Sequence, residues 1–304
     1  MPKLNANNIT IEYDTFGDRK DKPLLLVMGL GAQMIAWDEM FCEQLAEAGH
    51  YVIRYDNRDV GLTTRFHDHG EADLEDLVMK LLTESPVEVA YTLEDMALDG
   101  MSFLTELGIE KAHICGASLG GMIVQTMAIE HPERVLSMTS IMSTTGNPLL
   151  PPATPEAMEA LTSERVDDPE HAMNRAVEVN KVIGSPGFPR DEERLRQKGL
   201  ESYERAYYPP GVSRQMAAVI TNGDRSEKLN GLNLPTLVIH GAEDPLIPVT
   251  GGIDTHENIP GSELMVIDGM GHDLPMGAWD QIVSGITTVT EDGVYARLTE
   301  PEGA

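Results

Sequence analysis

The sequence predicts an α/β fold: a mostly parallel central sheet with helices on both faces and one inserted helical cap. Three observations predict it. Short apolar runs alternate with amphipathic stretches through the first half of the chain, as strands and covering helices do when a parallel sheet is buried on both sides. The alternation stops after Gly146, where a proline-rich stretch leads into charged, methionine-bearing, helix-like sequence without a strong buried-strand signal. Strand-like runs then return at 234–240 and 264–267. The expected division is a core of residues 1–146 and 231–290, a helical cap or lid of residues 147–230, and a loose, apolar-poor tail of residues 291–304.

Each element has its own signal. Residues 9–13 alternate apolar and polar side chains, as an edge strand does. Residues 24–27 are continuously apolar, as a strand buried on both faces is. Trp37, Met40, Phe41, Leu45 and Ala48 recur at helical spacing, and Gly49 stops that helix. Residues 51–55 read as the next strand. Thr92 and Asp95 stand in capping-box relation before the apolar face Leu93, Met96, Ala97, Met101 and Leu104, and Gly108 closes that helix. Residues 112–115 and 135–142 read as strands flanking a helix with Leu119, Met122, Ile123 and Met127 on one face. Ala278, Trp279, Ile282, Val283 and Ile286 predict a final amphipathic helix.

Composition narrows the function classes. Fifty acids against 22 bases give a formal charge of −28, which repels phosphate backbones and anionic membranes, so nucleic acid and membrane are not expected partners. The carboxylate excess fits an ordinary acidic protein or one adapted to salty water, and the first reading is preferred. Cys42 and Cys115 provide neither a disulfide framework nor a cysteine zinc site. The N-terminal residues lack a secretory apolar run, and no stretch reaches the length of a membrane span. A soluble, cytoplasmic protein is expected. A small-molecule substrate is the expected partner, and homodimerisation stays open.

The chemistry centres on Gly116-Ala117-Ser118-Leu119-Gly120, which follows an expected strand and opens an expected helix. That context makes a nucleophile elbow: a serine on a sharp, strained turn, flanked by residues too small to clash, with helix N–H groups aimed at charge forming nearby. A serine needs a base. Of the nine histidines, His272 lies in Gly269-Met270-Gly271-His272 just after the last strand. His131 reads as a helix-end residue. His67 and His69 lack further ligands at metallohydrolase spacing, so neither metal nor organic cofactor is expected. The base needs an orienting carboxylate; Asp244, after the strand ending near His240, completes the chain order Ser, Asp, His. Glu243 is its adjacent rival. Two backbone donors are expected for an oxyanion, the N–H of Leu119 and, from Met28-Gly29-Leu30-Gly31, the N–H of Leu30, with Gly31 as the alternative.

These motifs, with Tyr55-Asp56-Asn57-Arg58-Asp59-Val60-Gly61 and His131-Pro132-Glu133-Arg134-Val135, resemble the α/β-hydrolase superfamily over about residues 8–290. Met28-Gly29 departs from the His-Gly common in that superfamily. Together with Arg58-Asp59 and Gly271-His272-Asp273-Leu274-Pro275, it is similar to the branch containing aclacinomycin methylesterase and related carboxylesterases. The resemblance implies a serine esterase working through an acyl-enzyme. Ser118 in place of aspartate argues against dehalogenase and epoxide-hydrolase chemistry. Carbon–carbon bond hydrolysis, perhydrolysis and a non-catalytic receptor role remain alternatives. Met158, Met173, Met216, Tyr207, Tyr208 and Pro209 are candidates for the pocket wall.

Overall fold

A computed structural model describes the backbone of residues 1–299 and the side chains of residues 1–291. Among the described residues, eight strands form one sheet: β1 (Lys3–Ala6), β2 (Ile9–Phe16), β3 (Lys22–Val27), β4 (His50–Tyr55), β5 (Ala112–Ala117), β6 (Val135–Ile141), β7 (Thr236–Gly241) and β8 (Glu263–Ile267). Their order is β1-β2-β4-β3-β5-β6-β7-β8. The two ladders made by β2 are antiparallel and all the others parallel.

The helices of the sheet-forming part are α1 (Glu39–Glu47), α2 (Leu74–Leu82), α3 (Leu93–Glu106), α4 (Leu119–Glu130), then, after an inserted segment with α5 to α9, α10 (Thr250–Glu257) and α11 (Trp279–Thr299). Strand parity sorts them onto two faces. Leu25 and Val27 of β3 join a cluster with α3 and α4, whereas Leu24 and Leu26 join one with α1 and α11. Successive side chains of a strand point to opposite faces, so a strand covered on both sides reads as an unbroken apolar run. Thr92 and Asp95 make the expected capping box at α3.

Four features differ from the sequence expectation. The edge strand is β1, with β2 one place in; Asn7 and Asn8, at φ 45° and 62°, make the tight turn between them, a backbone shape that asparagine tolerates well. Helix α2 was not anticipated because it buries only Leu77 and leaves Val78, Met79, Leu81 and Leu82 exposed. Helix α10 carries Gly251 and Gly252 and only a weak apolar stripe. The last helix does not give way to a loose tail at 291 but continues to Thr299; residues 300–304 of that expected tail lie outside the described residues.

Residues 147–230, between β6 and β7, hold α5 (Pro155–Thr162), α6 (Pro169–Ile183), α7 (Glu192–Arg205), α8 (Pro210–Asn222) and α9 (Ser226–Leu229). Arginines on two of these helices meet aspartates of the sheet-forming part. Arg194 of α7 pairs with Asp38. Arg205 of α7 lies 2.8 Å from Asp56. Arg214 of α8 makes a bidentate pair with Asp59 at 2.7 and 2.8 Å. The Arg214–Asp59 pair is buried on both sides, the situation in which loss of one partner is most damaging.

Candidate active site

Ser118 sits between β5 and α4, at φ 57° and ψ −120°. A non-glycine residue there carries strain of about 1–3 kcal/mol, sustained only by its surroundings. The surroundings are backbone. A Cβ on Gly116 would stand 2.0 Å from the Gly120 carbonyl oxygen, and one on Gly120 would stand 2.0 Å from that of Val27. Ser118 occupies the N-cap position of α4, yet its hydroxyl makes no capping bond. It pairs instead with His272, Nε2 to Oγ at 3.0 Å.

The opposite ring nitrogen of His272, Nδ1, lies 2.7 Å from Asp244 Oδ2. The carboxylate can only accept there, so Nδ1 carries the proton and Nε2 is left to accept from the serine hydroxyl. The other carboxylate oxygen of Asp244 accepts from the N–H groups of Leu246 and Ile247, each at 2.9 Å, which fixes its orientation. Glu243 points elsewhere and accepts from the Gly269 N–H at 2.6 Å, steadying the loop that carries His272.

The turn after β3 runs directly against the serine: a Cβ on Gly29 would stand 3.1 Å from the Ser118 Cβ. Of the N–H groups there, that of Gly31 donates to Gln215 Oε1 at 2.8 Å. Among the described residues, the Leu30 and Leu119 N–H groups meet no protein acceptor. Leu119 opens α4, whose helix dipole favours negative charge at that end.

A family profile described as the alpha/beta hydrolase fold matches residues 22–277. The chain belongs to the α/β-hydrolase family. Rhodomycin D methylesterase of Streptomyces sp. (strain C5) is 26% identical over 94% of this chain and 97% of its own length. The 3-oxoadipate enol-lactonase 2 of Acinetobacter baylyi is 25% identical over 87% of each chain. Among solved structures, the meta-cleavage product hydrolase of Pseudomonas fluorescens IP01 superposes with a TM-score of 0.73 at 20% identity, over 96% of this chain and 98% of that one.

In this α/β-hydrolase, Ser118, Leu119, Gly29, Leu30 and His272 line a cavity of about 510 Å³ whose wall is mostly apolar. Met158 of α5 and Met216 of α8 line it; Met173 does not. Tyr207, Tyr208 and Pro209 line a neighbouring cavity of about 300 Å³ instead, together with Gly31. His131 ends α4, and His67 meets the Tyr208 hydroxyl at 3.0 Å. Both cysteines are buried; desolvation pushes the Cys42 thiol up to about 12 and that of Cys115 higher still, so neither is a ready nucleophile. Among the described residues, no helix is long and apolar enough to cross a membrane.

Three supporting contacts had no local sequence signal. Ser143, just after β6, donates its hydroxyl to the Ser118 carbonyl at 2.8 Å. Gln215 of α8 accepts from Gly31 and donates to the Arg58 carbonyl at 2.9 Å. The histidine loop is held by the end of α6: the His272 N–H donates to the Ile183 carbonyl at 2.6 Å and the Gly271 N–H to Ser185 Oγ at 2.9 Å. A Cβ on Gly271 would stand 2.5 Å from the Gly184 oxygen, so glycine in this loop serves its approach to the inserted segment.

Proposed function

We propose that this chain is a carboxylic-ester hydrolase in which Ser118 is the nucleophile, His272 the general base and Asp244 the acid that orients it. The observation that carries the reading is the continuous relay from Asp244 through His272 to Ser118, at 2.7 and 3.0 Å, opening into a cavity of about 510 Å³. Ser118 Oγ attacks the ester carbonyl carbon while its proton passes to His272 Nε2. The carbonyl oxygen becomes an oxyanion, held by the Leu30 and Leu119 N–H groups. The intermediate collapses, the carbon–oxygen bond to the alcohol breaks, and His272 returns the proton to the departing alkoxide. Water, deprotonated by the same imidazole, attacks the acyl-enzyme; a second collapse frees the acid and restores the serine. No step in this scheme calls on a metal or organic cofactor. Residues 147–230 act as a lid that closes one side of the cavity.

The relatives support esters as the bond class. The methylesterase likeness spans nearly the whole of both chains, whereas the likeness to a meta-cleavage product hydrolase, at 20% identity, concerns fold alone and gives carbon–carbon cleavage no preference. The test is turnover of p-nitrophenyl acetate and butyrate by the wild type and by Ser118→Ala, with a fluorophosphonate label mapped by mass spectrometry. The expected result is one label per chain, on Ser118, and loss of turnover in the variant. Equal rates for the two proteins would remove the assignment.

A further inference from the structure

The two neighbouring cavities share a wall, and the wall is cationic. Arg165, between α5 and α6, and Arg175, on α6, line both the cavity that holds Ser118 and the one beside it. Gly31, in the turn beneath Ser118, is also common to both, and a Cβ there would stand 3.5 Å from Arg165 Nη2. The guanidinium of Arg165 therefore lies beside the turn to which the oxyanion donor Leu30 belongs.

Neither arginine is neutralised. In a chain with 50 acids, Arg54, Arg58, Arg194, Arg205 and Arg214 all pair with carboxylates. Among the described residues, Arg165 and Arg175 make no ion pair, and the Arg165 side chain makes no hydrogen bond. Arg175 spends Nε on Ser163 Oγ at 3.0 Å and Nη2 on the Ala160 and Leu161 carbonyls, which leaves Nη1 without a protein acceptor. Both residues are half-buried. Burial and the like charge of Arg175 lower the Arg165 pKa to about 10, so it stays cationic at neutral pH. Arg225 is the informative contrast: it too lacks an acid, but Gln125, Asn222 and the Thr144 carbonyl occupy its donors.

Among the described residues, the wall of the second cavity adds His171, Lys198, Tyr203 and Tyr207 and no aspartate or glutamate. Lys198 is already paired with Asp38 and Glu201 and Tyr203 donates to Asp167, so the unpaired charge of this wall is that of the two shared arginines. Among the described residues, the one acid lining the Ser118 cavity, Asp273, accepts from Asn180 and from the Ser185 N–H. Half-buried guanidinium groups that have no protein counter-charge and face an open cavity keep donors available to an anionic ligand, which gains a charge-assisted bond by taking them. Their planar fork matches a carboxylate.

Resting on the esterase reading above, we infer that the substrate is an ester bearing a second, anionic group, a carboxylate held by Arg165 and Arg175 while the ester carbonyl lies at Ser118. The scissile end occupies the apolar cavity and the charged end points toward the cationic one. The net charge of −28 disfavours anions in general, so binding of one here depends on the local charge of these two arginines.

The experiment compares monomethyl and dimethyl esters of glutarate, adipate and suberate as substrates of the wild type, Arg165→Gln, Arg165→Lys and Arg175→Gln. The wild type is expected to prefer a half-ester, and R165Q to lower the half-ester to diester ratio of kcat/KM by about tenfold or more, the scale of a charge-assisted hydrogen bond. R165K should retain part of that ratio. A second readout needs no turnover: free adipate dianion should raise the melting temperature of the wild type, and the rise should vanish in R165Q/R175Q. Preference for diesters, a ratio unchanged in R165Q, or equal stabilisation of both proteins by adipate overturns the inference. If no ester is turned over and Ser118 takes no label, while adipate still stabilises only the protein with both arginines, the esterase reading fails and the anion site stands.

Discussion

Helix α4 buries ten of its twelve residues, whereas α7, in the inserted segment, buries none. The two helices do different jobs at neighbouring cavities: α4 lines the one that holds Ser118, and α7 lines the one beside it. A helix apolar all round is locked by packing, so α4 holds Ser118 in a conformation that an exposed turn would relax. Helix α7 packs on α6 and is tied to the sheet-forming part by arginine–aspartate pairs at Asp38 and Asp56. Packing specifies the reacting atoms on one side. On the other, discrete charge contacts place a wall whose remaining cations are free for a ligand. Such a wall can change its side chains without disturbing the relay, which is how one fold serves many substrates.

The largest expected effect tests the packed side. Asp244→Asn should leave the fold intact but lower kcat roughly 10⁴-fold, because the amide favours the wrong imidazole tautomer; p-nitrophenyl butyrate kinetics and circular dichroism together check this, and a loss below about tenfold would contradict the role given to Asp244. Next comes the charge-tied side. Arg214→Ala strands buried Asp59 and should cost about 3–5 kcal/mol in urea unfolding, whereas Arg194→Ala, whose partner contact is more exposed, should cost under about 1 kcal/mol. Equal costs would mean that burial does not rank these ties.

Gln215 joins the two regions, since it belongs to α8 yet holds Gly31. Gln215→Ala should lower kcat about tenfold with little change in KM, as the freed turn misplaces the Leu30 donor; a change confined to KM would assign Gln215 to substrate binding instead. The smallest effect is in pH. His240 is fully buried, its Nε2 donating to the Ile247 carbonyl at 2.8 Å, and desolvation lowers its pKa below the ordinary 6.5. The unfolded imidazole therefore takes up a proton more readily than the folded one. Its contribution to stability is full above about pH 6.5 and is lost as the pH falls below that value. His50, lowered by burial in the same way, acts in the same direction. Urea midpoints from pH 8 to pH 5 should fall, and His240→Gln should flatten the curve.

Legibility in the sequence follows the same divide. The parallel strands announced themselves because burial on both faces demands continuous apolar runs, and the elbow because backbone contacts at Gly116 and Gly120 tolerate no side chain. Ser118, Asp244 and His272 were each found from the end of a strand and its following turn. Helix α2 was missed because little of it is buried, and β1 because its turn depends on two asparagines rather than on a glycine. Tyr207, Tyr208, Pro209 and Met173 fall outside the Ser118 cavity because residue type within the inserted segment does not say which cavity a side chain meets.

Local rules written along the chain thus determined the sheet, the sharp turn at Ser118 and the placing of Ser118, Asp244 and His272 each just after a strand, since each depends on residues a few positions apart. Only the folded chain decided that Gln215 holds Gly31, that Ile183 and Ser185 hold the histidine loop, and that Arg165 and Arg175 stand unpaired between two cavities. Those facts depend on which distant groups come within a hydrogen bond of one another. A count of charges along the sequence cannot say which cations have found a partner.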